Sequence, residues 1–290
     1  MRQRVAMTVL ACLMLAGCAG IKLDEKRAAS LRLATDAGWQ RLDLDAGTFV
    51  LAAFSPPGLR QTDTLTIYIE GDGLAWMDAT MPSLDPTPLD PLALRLALRD
   101  ASDKAVYLAR PCQYVTGEDR RGCEKKYWTS HRFSPEVVAA GNLAVSRMKA
   151  RHGANKITLV GYSGGGAVAA LVAARRDDVA LLITVAGNLD HAAWTSSHRL
   201  SPLSGSLNPA DAWRALQEVP QRHYIGGRDT IVGEGVARAY AARFEKNKAP
   251  PITLIPEFDH HCCWDDIWPG IVNSRFGAIQ PDDNRALLKD

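Results

Sequence analysis

Short apolar runs recur along the chain at residues 48–54, 64–70, 104–109, 156–161, 179–186, 222–226 and 251–256, separated by stretches with helical spacing such as 135–151 and 231–246. Runs of five to eight residues, rich in Val, Ile and Leu and bounded by Gly, Pro or Asp, read as strands buried on both faces. Alternation of such strands with helices predicts an α/β fold, a mostly parallel central sheet covered by helices on both faces. No internal repeat interrupts the pattern.

The sharpest local signal lies where one run meets the next helix. Ile157-Thr158-Leu159-Val160 leads into Gly161-Tyr162-Ser163-Gly164-Gly165 and then an Ala-rich stretch from Ala167 to Ala174. That order predicts a strand, a tight turn and a helix. Glycines two residues before and two after the serine leave room for the chain to double back, and the turn pushes the hydroxyl into solvent at a helix N-terminus. There the free N–H groups and the positive helix end favour an oxyanion.

A serine hydroxyl is a weak nucleophile until a histidine takes its proton, and that histidine needs a carboxylate to fix its tautomer. Both residue types follow in order. Arg222-His223-Tyr224-Ile225 ends in Gly226-Gly227-Arg228-Asp229, and Ile252-Thr253-Leu254-Ile255 ends in Pro256-Glu257-Phe258-Asp259-His260-His261. In a parallel sheet the loops after these strands share one edge with the serine turn, so Ser163, Asp229 and the histidine pair are expected to converge. Neighbouring side chains on an extended segment point opposite ways, so one of His260 and His261 faces the serine, with His260 the preferred base. Asp259 adjoins His260 and is badly placed for that ring's far nitrogen, which favours Asp229. His191, His198 and His223 read as polar loop or surface histidines.

At these residues the chain resembles the α/β-hydrolase family, from about Thr48 to Trp268. The resemblance implies Ser163 as nucleophile, Asp229 as acid and His260 or His261 as base, with an oxyanion hole made by the N–H of Gly164 and one from the loop after an earlier strand. That loop matches Glu70-Gly71-Asp72-Gly73, with Asp72 supplying the N–H; family members usually carry His-Gly where this chain has Glu70-Gly71. The implied reaction is hydrolysis of a small-molecule carboxylic ester through an acyl-enzyme, without cofactor or metal. A peptidase or amidase would use the same triad, and a hydrolase-like scaffold turned envelope binding protein is a further alternative.

The N-terminus speaks to location. Met1-Arg2-Gln3-Arg4 is basic, Val5 to Ala16 almost wholly apolar, and Leu15-Ala16-Gly17-Cys18 ends the run. This reads as a signal peptide, residues 1–17. The last four residues look like a bacterial lipobox, which implies cleavage before Cys18, lipidation of its thiol and a membrane partner reached through that anchor. Ala19 after the cysteine points to the periplasmic face of the outer membrane. Residues 18–40 then form a tether and lead-in, and 41–290 the α/β-hydrolase domain.

With Cys12 leaving in the signal peptide and Cys18 lipidated, Cys112, Cys123, Cys262 and Cys263 remain for an oxidising compartment, which suggests two disulfides in one of three connectivities. Pairing Cys112 with Cys123 would close a charged loop and contribute about 3 kcal/mol, leaving Cys262 with Cys263. The crossed pairings would tie that loop to the histidine loop. A zinc site on His260, His261, Cys262 and Cys263 is the rival reading, and four consecutive residues cannot easily point at one ion.

The 290 residues suffice for one large domain, and a net charge of +2 with 47% hydrophobic residues gives no sign of nucleic-acid binding or disorder. Two segments bear on substrate. The Pro-rich stretch 81–91 predicts a rigid loop near the oxyanion strand. The stretch 188–219, where relatives often insert a cap, is short, which argues against a large lid. Trp76, Trp128 and Trp264 fall on loops of the same edge as possible walls of an acyl pocket.

Overall fold

The computed structural model describes residue 25, residues 28–59 and residues 61–273. The expected signal peptide, lipobox and acylated Cys18 lie outside the described residues.

Eight strands form one sheet: β1 (Gln40–Ala46), β2 (Phe49–Ser55), β3 (Thr64–Ile69), β4 (Ala105–Leu108), β5 (Lys156–Tyr162), β6 (Val179–Val185), β7 (Gln221–Gly226) and β8 (Ile252–Ile255). Their order is β1-β2-β4-β3-β5-β6-β7-β8. β1 pairs antiparallel with β2 and β2 antiparallel with β4; every other pairing is parallel. Seven of the strands fall on the predicted runs. β1 falls outside the apolar runs, because this edge strand is buried on one face only and alternates Leu42, Leu44 and Ala46 with Arg41, Asp43 and Asp45.

Alternation along the strands sorts the core into two layers. Leu65, Ile67 and Ile69 of β3 and Leu159 of β5 pack beneath helices α3 (Pro135–Arg151) and α4 (Gly164–Ala173). Tyr68, Val160, Ile183 and Tyr224 point the other way, onto α2 (Leu92–Leu98) and α8 (Trp264–Asn273). A helix over residues 28–36, α1, buries Ala34 in this second layer, so the packed body takes in part of the expected 18–40 lead-in.

Local chemistry sets the helix limits. α3 starts where the Ser134 hydroxyl accepts from the Val137 N–H, with Pro135 in its first turn, and stops before Gly153 at φ +58°. The stretch 231–246 yields a shorter helix, α7 (Glu234–Ala241). Its start is delayed because the N–H groups of Ile231 and Val232 donate instead to the Asp229 carboxylate, and Gly233 turns the chain at φ +77°. Two further short helices, α5 (His191–Ser197) and α6 (Trp213–Leu216), lie between β6 and β7.

Parallel pairing brings the ends of β3, β5, β7 and β8 to one edge. The chain leaves β3 toward β4 on one side and β5 toward β6 on the other, so the loops after β3 and β5 flank the crevice where ligands of open α/β sheets bind.

Candidate active site

Ser163 sits at the turn between β5 and α4 with φ +52° and ψ −122°, a conformation that costs a non-glycine residue on the order of 1–3 kcal/mol. The flanking glycines admit it. A Cβ at Gly161 would meet Gly166 backbone atoms at 2.5–2.6 Å, and one at Gly165 would collide with the Ile69 and Glu70 carbonyls at the end of β3. The serine is thereby locked beside the β3 loop.

His260, after β8, places Nε2 3.0 Å from the Ser163 Oγ and Nδ1 2.8 Å from an Asp229 carboxylate oxygen. The second Asp229 oxygen accepts the Ile231 and Val232 N–H groups at 2.8 and 2.9 Å. Burial favours protonating this carboxylate, but His260 and those two N–H groups outweigh it and hold the pKa below the ordinary range. Asp229 is therefore an anion in a fixed orientation, as a partner for an imidazolium requires.

The neighbouring candidates have other work. The Asp259 carboxylate accepts the N–H groups of His261 and Cys262, both at 2.7 Å, and so shapes the histidine loop. His261 turns its Nδ1 to the Tyr162 hydroxyl at 3.1 Å. That same hydroxyl donates to the His260 carbonyl at 3.2 Å, so the residue before the serine clasps the loop that carries the histidine. His223 and His191 are buried, against the surface placement expected of them; His223 lies within β7, bonded to Thr184 and Gln221, and burial pushes it down to about 3. Position 223 falls within the predicted run 222–226, so the burial of His223 was legible, whereas nothing in the sequence marks His191 as buried.

The loop after β3 is built around two carboxylates. Glu70, fully buried, accepts the Gly71 N–H at 2.9 Å, the Tyr107 hydroxyl at 3.1 Å and the Ala93 N–H at the start of α2 at 3.4 Å. Burial raises it to about 7 despite those donors. The Gly71 N–H is thus committed, whereas the Asp72 N–H has no backbone or side-chain acceptor among the described residues, and Gly164, first in α4, has no intrahelical one. These are the two donors anticipated for an oxyanion.

The Asp72 side chain lies against Gly164 and is held by Arg110 at 3.1 Å and Arg132 at 2.6 Å, both guanidiniums buried. Burial alone would raise the Asp72 pKa; Arg132 and then Arg110 reverse that and lower it. Arg110 also donates to the Arg132 carbonyl, and Arg132 stacks over Trp194. Neither arginine was anticipated. Arg110 follows directly on the apolar run of β4, a position at the catalytic edge that was legible; nothing in the sequence marks Arg132.

A cleft of about 820 Å³ opens over Ser163 and His260. Its walls are mainly apolar, from Leu74, Trp76, Leu89, Trp194, Leu203 and Val232. Of the three tryptophans expected at an acyl pocket, only Trp76 lines it. Trp128 is buried with its indole N–H on the Ser83 carbonyl, and Trp264 is buried with its own on the Asp259 carbonyl. The Pro-rich loop contributes Pro88, Leu89 and Asp90 to the wall, as its predicted place near the oxyanion strand implied.

The cysteines pair within their own loops, Cys112 with Cys123 and Cys262 with Cys263, and not in either crossed arrangement. With its sulfurs joined and His260 engaged by Ser163 and Asp229, the 260–263 segment does not form a tetrahedral zinc set.

The fold is that of the α/β hydrolases. Pyrococcus furiosus esterase Pf2001 superposes with a TM-score of 0.56 at 15% identity, over 83% of this chain and 90% of that one. Est1E from Butyrivibrio proteoclasticus matches at 0.53 and 16% identity, over 81% and 95%. XC6422 from Xanthomonas campestris, described as an α/β serine hydrolase without lid, matches at 0.52 and 14% identity, over 83% and 97%. No family model matches the chain, and no curated protein matches it by sequence.

Proposed function

We propose that the protein is a serine hydrolase that cleaves carboxylic esters through an acyl-enzyme, held at a membrane by lipidated Cys18. The observation that carries the reading is the continuous chain Ser163–His260–Asp229, with contacts of 3.0 and 2.8 Å. Ser163 attacks the ester carbonyl while His260 Nε2 takes the hydroxyl proton. Asp229 stabilises the imidazolium, and the Gly164 and Asp72 N–H groups receive the negative oxygen. Collapse expels the alcohol with the proton from His260, and water repeats the sequence to free the acid and Ser163.

The surface of the cleft is mainly apolar, although Asp78, Asp90, Arg132, Asn188 and Ser201 also line it, and that apolar share suits an acyl chain, which is why an ester with a hydrophobic acid portion is preferred here to a peptide. The lipobox-like Leu15-Ala16-Gly17-Cys18 supports attachment at the periplasmic face of the outer membrane. A fluorophosphonate probe followed by peptide mass spectrometry tests the catalytic part: the adduct is expected on Ser163, together with turnover of ester panels over matched amides. Labelling at another serine, or amide turnover equal to ester turnover, would overturn the reading.

A further inference from the structure

Exposed large hydrophobic side chains are not scattered over this molecule. Of nine among the described residues, three line the cleft, Trp76, Leu200 and Ile231, and three more, Met77, Met81 and Leu84, sit on the segment that carries Trp76. Four of them sit on one hairpin. Its arms are joined by the Met77 N–H to the Met81 carbonyl at 2.8 Å and the Ser83 N–H to the Ala75 carbonyl at 3.0 Å. Asp78 fixes the tip by accepting the Thr80 and Met81 N–H groups, each at 2.8 Å.

The hairpin is therefore a stiff projection that presents one side to the cleft and another to solvent. Trp76 and Ala79 face the cleft, while Met77, Met81 and Leu84 are 43%, 53% and 75% exposed and line none of it. Exposed apolar side chains beside a mainly apolar cavity mark an interaction surface.

The other end of the chain indicates what covers it. α1 runs into β1 through Trp39, and Gln40 pairs with Ser55 at the edge opposite the serine turn, so the start of α1 lies toward the catalytic side. Ser30 there adjoins Tyr114, whose backbone N–H is bonded to Thr87 of the Pro-rich loop below the hairpin. Nine residues lie between Cys18 and residue 28, ten Cα steps with a reach of at most about 35 Å.

We propose that the rim is a bilayer-docking surface: Met77, Met81 and Leu84 insert among lipid acyl chains, and the cleft draws long-acyl esters directly from the membrane to which Cys18 is anchored. This rests on the esterase reading above and names its substrate class. With its apolar mouth permanently presented by a hairpin, the site needs no lid to meet a lipid surface.

The test uses the full-length lipidated protein reconstituted in phosphatidylethanolamine–phosphatidylglycerol vesicles carrying 4-methylumbelliferyl oleate, with soluble 4-methylumbelliferyl butyrate as reference. The Met81→Glu/Leu84→Glu variant is expected to lose about 10-fold of the oleate rate, since charge on the inserted face opposes burial in lipid, while keeping its butyrate rate. The Met81→Trp/Leu84→Trp variant should raise the oleate rate at an unchanged butyrate rate, an outcome misfolding cannot mimic. Unchanged oleate rates in both variants would overturn the docking surface, as would sedimentation showing that Met81 and Leu84 hold two copies together. Absence of butyrate turnover in the unmodified protein would instead refute the esterase reading.

Discussion

The Asp72 carboxylate occupies the space that any side chain at Gly164 would need, so the two proposed oxyanion donors belong to residues in direct contact. An unpaired anion there would oppose the negative oxygen. Arg110 and Arg132 neutralise it and leave one excess positive charge. Asp72→Asn would set two buried guanidiniums side by side without their counterion. A loss of about 3–5 kcal/mol is expected by urea denaturation, together with reduced ester turnover in whatever fraction folds.

Removing the nucleophile separates chemistry from folding. Ser163→Ala should lose on the order of 10³-fold or more in ester turnover with an unchanged circular dichroism spectrum, because the acyl-enzyme cannot form. Retention of most activity would dismiss the triad.

The two adjacent histidines should part company. His260→Ala is expected to abolish fluorophosphonate labelling at Ser163, whereas His261→Ala, which removes the hydrogen bond to Tyr162 and a ring contact with His260 but no bond to Ser163, should keep a measurable fraction of it. The reverse pattern would move the base to position 261.

Glu70 makes stability depend on pH. Its carboxyl, raised from 4.5 to about 7 by burial, keeps in the folded state a proton that the unfolded chain has already released across that window. Its contribution is therefore complete below pH 4.5 and declines as pH rises toward 7, by up to about 3 kcal/mol. His223, pushed from 6.5 down to about 3, works in the opposite sense, since only the unfolded chain protonates it between those values. The difference between the native protein and Glu70→Gln isolates the first effect: denaturation at pH 5 and pH 8 should show the variant gaining relative stability at the higher pH. A constant difference would place the Glu70 pKa near its ordinary value.

Cys18→Ser removes the proposed acylated thiol. The protein should then leave the detergent-extracted membrane fraction for the soluble periplasmic fraction, or stay in the membrane with its signal uncleaved. Mass spectrometry of an unmodified, soluble native protein would refute the anchor.

Much of this architecture was legible because buried strands and the serine turn are local signals. Seven strands follow from apolar runs, and Gly161, Ser163 and Gly165 declare a turn whose steric demands are met within a few residues. What stayed hidden depends on partners distant in sequence. Arg132 acquires its role from Asp72, 60 residues away, and Trp194 becomes a cleft wall only once α5 folds over the edge. Trp128 and Trp264 show the converse: loop position suggested a pocket, but the Ser83 and Asp259 carbonyls draw their indoles into the core.

Because each disulfide closes on its own loop, one over 11 residues and the other between neighbours, neither ties the 112–123 segment to the 260–263 segment that carries the histidine. Reduction would therefore release two independent local constraints, and the His260 loop would keep its hold on the rest of the fold through the Tyr162 hydroxyl and the Asp229 carboxylate.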